Sequence, residues 1–161
     1  MQPATPFRSR TRKVEPEWID YNGHMNMAYY NVLFDRCADD AFEALGMGPD
    51  YVSTRKLSAY TAEIHVCYLR EIHEGDRTVC SFQIVDHDEK RLHVYKELRH
   101  ENGWLSATSE TLYLHIDMSG PNVAPFPDDI MANVEKMARE HAPLGRPERA
   151  GRSIGIRRKP A

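Results

Sequence analysis

The sequence predicts an α+β domain of two layers, with one long helix laid against a wide antiparallel sheet. Three observations carry this: one early run of helical periodicity, later stretches of period-two alternation, and connections too short for crossovers. From Tyr29 to Leu45, apolar residues recur at Tyr30, Leu33, Phe34, Cys37, Ala38, Ala41, Phe42 and Leu45, the spacing of a helix with one buried face. The opposite face carries Asp35, Arg36, Asp39, Asp40 and Glu43, and Gly46 stands where the helix must end before Gly48-Pro49 breaks the chain.

Period two follows, through Ile64, Val66 and Tyr68, then Cys80, Phe82 and Ile84, then Leu92 and Val94, then Leu112, Leu114 and Ile116. Glu74-Gly75-Asp76, Asp86-His87-Asp88-Glu89 and Glu101-Asn102-Gly103 separate these strands, and links this short predict hairpins and a simple meander. Arg8 to Val14 reads as an extra strand. Asp128 to His141 reads as a second helix, apolar at Ile130, Met131, Val134, Met137 and Ala138, with Pro127 and acids suiting its start. One domain is expected over 1–144, followed over 145–161 by a mobile basic tail carrying Arg146, Arg149, Arg152, Arg157, Arg158 and Lys159.

With 161 residues, 41% of them hydrophobic and 28% charged, the chain suits a single globular core. A formal net charge of -3 gives no general attraction to nucleic acid. No apolar run reaches the roughly 20 residues of a membrane helix, and the N-terminus lacks the apolar core of a secretion signal, so a cytoplasmic protein is expected. Cys37, Cys67 and Cys80 are widely spaced among apolar neighbours and read as buried reduced thiols.

The chemistry concentrates in Trp18-Ile19-Asp20-Tyr21-Asn22-Gly23-His24-Met25-Asn26, immediately before the long helix. Backbone N–H groups at a helix start lack intrahelical partners and carry partial positive charge, so they can hold a developing oxyanion beside a carboxylate. Asp20 either stabilises a turn or attacks a carbonyl or polarises water. His24 can bond a substrate carbonyl, orient water or fix the loop. Gly23 permits a bend and close approach of a substrate. Asn26 is a natural N-cap that can also present its amide to a substrate oxygen. The N–H groups of Gly23, His24, Met25 and Asn26 are the oxyanion-hole candidates. His65, His73, His87, His93, His100, His115 and His141 show no HxH or HExxH spacing, so no metal is expected. The absence of a dinucleotide fingerprint predicts no redox cofactor.

The run Asp20-Tyr21-Asn22-Gly23-His24-Met25-Asn26 resembles the D-x-x-G-H-x-N signature of hot-dog-fold acyl-CoA thioesterases of the 4-hydroxybenzoyl-CoA thioesterase type. The element order and Pro125 and Pro127 before the last helix extend the likeness over about 8–140. It implies a curved antiparallel sheet wrapped around one long helix, a homodimer or homotetramer with sheets joined edge to edge, and active sites at the subunit interface. It places the family's catalytic carboxylate at Asp20 and carbonyl binding at Gly23 and His24, with Asn26 and Tyr30 shaping the site. Met27 stands where many relatives repeat asparagine.

Trp18 to Asn26 together with Phe34-Asp35 is similar, more narrowly, to the betainyl-CoA thioesterases of carnitine breakdown. That implies hydrolysis of a substrate with a trimethylammonium group, which aromatic faces hold at about 0.5–2 kcal/mol per contact. Trp18, Tyr21, Tyr29, Tyr30 and Tyr60 are available, with Glu63 as countercharge. The CoA phosphates would need cations, for which Arg55, Lys56, Arg70, Lys90, Arg91 and the basic tail are candidates. A thioesterase for an aromatic or medium-chain acyl group, or a non-catalytic acyl-CoA binder on the same fold, remains open. A hot-dog dehydratase would need a histidine-proline-glycine site, which the sequence lacks.

Overall fold

The computed structural model describes residues 3–160. Two short strands, β1 (Phe7–Arg8) and β2 (Arg12–Lys13), stand where one was expected. The chain leaves the ladder between them so that the Arg10 N–H and the Arg12 guanidinium reach Asp40 at 3.0 and 2.8 Å. Asp40 is therefore not a solvated charge of the helix's outer face. Against the desolvation that pushes its carboxyl up, Arg12 and the Arg10 N–H hold it below the usual carboxylate range.

A 3-10 turn at Pro16–Trp18 leads to the site loop and then to α1 (Met27–Ala44). The helix starts earlier than its apolar periodicity because Asn26 caps it, and it buries Tyr30, Leu33, Phe34, Cys37, Ala38 and Ala41. Gly46, at φ +86°, turns the chain out of the helix. The Gly48-Pro49 break also begins a short helix, α2 (Pro49–Arg55), that the periodicity did not reveal; proline at the first helical position loses no hydrogen bond.

The strands β3 (Leu57–Tyr68), β4 (Arg77–His87), β5 (Arg91–His100) and β6 (Leu105–Asp117) form the sheet, with β7 (Asn122–Val123) on the end of β6. The order is β1-β4-β5-β6-β3, with β2 also on β4. The expected meander holds for β4, β5 and β6 but fails for β3, which pairs with β6 and lies at the sheet edge. The 69–76 connection crosses the end of the sheet, where the N–H groups of Leu69 and Arg70 both donate to the Ser106 carbonyl. This crossing lets the apolar inward face of β4, with Cys80, Phe82 and Ile84, sit beneath α1.

Register shifts at Thr61/Glu63, Ile84/Asp86 and Leu98/Arg99 curve the sheet about the helix. Leu33, Phe34, Phe82, Leu92, Val94 and Leu98 are fully buried in the layer between, where each large side chain contributes about 1.5–3 kcal/mol. Alternation puts Lys96 in this layer too; burial lowers its pKa, and its Nζ donates to the Tyr113 hydroxyl at 2.7 Å. The last helix, α3 (Asp128–His141), occupies the expected range, buries Ile130 and Val134 in the core and packs on β4, while Asn133 donates to the Leu45 carbonyl at 3.0 Å.

Cys37 and Cys80 are buried free thiols, whereas Cys67 is only half-buried. Beyond Leu144 the chain forms no regular element among the described residues, but the Gly151 N–H donates to both oxygens of Glu110, at 2.9 and 2.7 Å. Among the described residues no helix is long and apolar enough to cross a membrane.

Candidate active site

The loop before α1 is a closed turn. Ile19 and Met25 form an isolated antiparallel bridge, the Gly23 N–H donates to the Asp20 carbonyl at 3.0 Å, and Gly23 takes φ +83°, a conformation that costs other residues about 1 kcal/mol. Two bonds fasten the loop to the body: Met25 N–H to the Ile72 carbonyl at 2.7 Å and Asn26 N–H to the Trp18 carbonyl at 2.9 Å.

Asp20 is half-buried, and each carboxylate oxygen has a donor. The Asn22 N–H reaches Oδ1 at 2.8 Å, and the Asn26 side-chain amide reaches Oδ2 at 3.1 Å. The same Asn26 accepts the Ala28 N–H at 2.9 Å, so a single side chain caps α1 and holds the acid at its positive end. The turn-forming and chemical readings of Asp20 are compatible: the turn aims the carboxylate.

The backbone amides divide sharply. Those of Gly23, Met25 and Asn26 are spent on the Asp20, Ile72 and Trp18 carbonyls, which removes three of the oxyanion-hole candidates. The His24 N–H has no hydrogen-bond partner among the described residues. His24 is also among the residues lining a cleft of about 290 Å³, with Met27, Tyr30, Tyr68, Arg70 and Glu71 among others. The His24 ring turns back toward the Met25 carbonyl, with Nδ1 at 3.4 Å.

The aromatic candidates do not converge. Trp18 is buried, stacks on Tyr29 at 5.7 Å between centroids, and already has the Arg36 guanidinium over its ring at 5.3 Å. Tyr21 projects from the turn and is 99% exposed. Tyr60 pairs with Leu114 and Glu63 with Leu112, whereas Thr61 pairs with Tyr113, whose side chain lies beneath α1. Directly paired residues share a face, so Tyr60 and Glu63 point away from the helix and out of this site. The bulge at Thr61/Glu63 fixes which residues face inward, and it leaves Tyr60 and Glu63 on the outer face of this chain's sheet. Glu63 instead borders a cavity of about 460 Å³ on the outer face, with His65, His93, Glu110 and Arg152.

Only Tyr30 remains at the cleft, joined by Tyr68, which sequence reasoning passed over as an ordinary strand residue. The two rings meet edge to face at 5.0 Å, and the Tyr68 hydroxyl donates to the Met27 carbonyl at 3.0 Å. Burial pushes both phenols above their ordinary pKa. Among the described residues no group of three or more His, Cys, Asp or Glu side chains is placed to hold a metal ion.

The sequence profile of the thioesterase-like superfamily matches residues 14–134. Over 144 residues, 89% of this chain and 91% of the relative, the sequence is 38% identical to a betainyl-CoA thioesterase of Pseudomonas aeruginosa. It is 34% identical to an L-carnitine dehydrogenase/betainyl-CoA thioesterase of Rhizobium meliloti, covering 95% of this chain but 31% of that longer protein. Among solved structures, a Staphylococcus aureus protein in complex with CoA superposes with TM-score 0.89 at 27% identity, over 98% of this chain and 99% of that one. A DHNA-CoA thioesterase of the same organism superposes with TM-score 0.73 at 17% identity, over 83% of this chain and 94% of its own.

Proposed function

The chain belongs to the thioesterase-like superfamily and is an acyl-CoA thioesterase of the hot-dog fold; from that premise we propose that it hydrolyses betainyl-CoA to glycine betaine and CoA. The observation that carries the chemistry is Asp20, half-buried at the start of α1 with both oxygens oriented by Asn22 and Asn26. The 38% identity to a betainyl-CoA thioesterase, over nearly the whole of both chains, supports the choice of acyl group.

In this reading the thioester oxygen accepts the His24 N–H, near the positive end of α1, and Asp20 faces the carbonyl carbon. The carboxylate either attacks that carbon, expelling the CoA thiolate and leaving a mixed anhydride for water to open, or takes a proton from water as it attacks. Both routes consume one water and release one acid and one thiol. Neither calls for a metal or redox cofactor. Asn26 acts as a positioning residue, because it holds Asp20 without reaching substrate.

Of the cations considered for the CoA phosphates, Arg55 is paired with Asp129, Arg91 with Asp88 and Lys90 with Glu89. Arg70 has no carboxylate partner among the described residues, and its guanidinium lies over Trp104 at 4.0 Å. The proposal includes a cytoplasmic homodimer joined along β3, the edge strand, where Tyr60 and Ile64 are exposed. It treats 1–144 as the catalytic domain and the basic tail as dispensable for folding.

The test is CoA release from betainyl-, acetyl-, hexanoyl-, palmitoyl- and 4-hydroxybenzoyl-CoA. Betainyl-CoA is expected to lead in kcat/KM by at least about tenfold, since loss of a cation site costs on the order of 1–2 kcal/mol. A lead by another thioester transfers the activity to that acyl group. CoA binding without release from any thioester would make the protein a binder.

A further inference from the structure

We propose that the cleft formed by Tyr30, Tyr68 and Glu71 is the seat of the acyl group's cation and that Glu71 supplies its countercharge. The inference rests on the betainyl-CoA reading and replaces the outer-face pair Tyr60 and Glu63 with residues on the helix side of the sheet. A trimethylammonium group makes no hydrogen bonds, so its recognition requires aromatic faces and a nearby negative charge in a confined space. The cleft offers the open ring of Tyr68 backed by Tyr30 and the exposed carboxylate of Glu71, with His24 among its lining residues.

Tyr30 is 3% exposed and Tyr68 is 43% exposed, so one ring forms a wall and the other is open to a ligand. Their edge-to-face contact and the Tyr68 hydrogen bond to the Met27 carbonyl fix the second ring, which therefore loses little freedom on binding. Glu71 borders the same space and makes no ion pair or side-chain hydrogen bond among the described residues. Arg70 lines the same cleft, and its guanidinium is stacked over the Trp104 indole at 4.0 Å.

Backbone bonds set this arrangement. Ser106 accepts the N–H groups of Leu69 and Arg70 on its carbonyl and donates its hydroxyl to the Arg70 carbonyl at 2.7 Å, while Ile72 accepts the Met25 N–H. The 69–72 segment is thus tied on one side to β6 and on the other to the loop that carries Asp20. A cation seated here is held by the connection that crosses the sheet, in register with the catalytic turn.

The experiment compares betainyl-CoA with 3,3-dimethylbutyryl-CoA, the same shape with carbon in place of the charged nitrogen. For the parent enzyme the ratio of the two kcat/KM values should be at least about tenfold in favour of the cation. Glu71→Gln should lower that ratio about fivefold, as expected for losing a partly exposed charge pair, and Glu71→Asp should restore part of it. Tyr68→Leu should lower it about tenfold, through a rise in KM for the cationic substrate.

A ratio unchanged in Glu71→Gln and Tyr68→Leu overturns the seat while leaving betainyl-CoA hydrolysis in place. So does an equal loss on both substrates, which marks a structural role. A parent enzyme with no preference for betainyl-CoA over the neutral isostere overturns both the seat and the substrate reading.

Discussion

Asp20 is held before any substrate arrives. A free aspartate at a turn samples several rotamers, but here the Asn22 N–H and the Asn26 amide each fix one oxygen. Such preorganisation lowers the reorganisation cost of the chemical step. Asp20→Asn keeps the side chain's shape and an oxygen acceptor while removing the charge. It should cut kcat at least about 10²-fold, as for loss of a general base or nucleophile, with little change in Tm. Parent-like turnover in this variant would remove Asp20 from the mechanism. At the same scale, the His24 ring is turned to the Met25 carbonyl, and its backbone N–H has no partner among the described residues.

The helix α1 is both half of the core and the mount of the site. Its buried face anchors it to the sheet, and its first turn places its positive end beside the loop that carries Asp20. Asn26 joins these roles, so removing it should damage both. Asn26→Ala should cost about 1 kcal/mol of stability, a Tm drop of roughly 2–4 °C, and should also lower kcat. Asn26→Ser restores a cap acceptor without the amide donor to Asp20, and should recover the stability but not the rate. Recovery of both would show that only capping matters. The β4-β5-β6 hairpins were legible from short connections, whereas the position of β3 was not: an edge strand and a meander strand share the same alternation.

For the whole molecule, the proposed homodimer would cover exposed apolar side chains of β3. Ile64→Lys places a charge on the helix-side face of that edge and should yield monomers by sedimentation, with loss of turnover; a stable active dimer would move the interface elsewhere. Stability should also depend on pH through two buried histidines. His115 donates Nδ1–H to the Ala124 carbonyl at 2.8 Å and meets the Tyr51 hydroxyl at Nε2, 2.7 Å away. Burial lowers its pKa and that of His141, and burial pushes the Tyr51 phenol up to about 12. The unfolded chain binds these protons more readily, near the ordinary pKa of about 6.5. Their stabilisation is therefore full above that pH and is lost as pH falls toward the folded values. Tm should fall between pH 8 and pH 5, less steeply in His115→Gln; an equally steep fall in that variant would clear His115.

By itself the sequence determined the fold class, the buried face of α1, the extent of α3 and the Asp20 to Asn26 turn, because each is written in short-range periods, caps and a contiguous motif. Tertiary structure decided what those signals leave open. Which face of β3 meets the helix depends on a bulge and on pairing with β6, so Tyr60 and Glu63 point outward while Tyr68 borders the cleft, to which the 69–76 connection brings Glu71. Which amide remains free depends on where neighbouring carbonyls lie, so the Gly23, Met25 and Asn26 N–H groups are spent and that of His24 is not. Periodicity is a property of neighbours along the chain; a cleft and an unpaired donor belong to segments far apart in sequence, and only the folded chain brings them together.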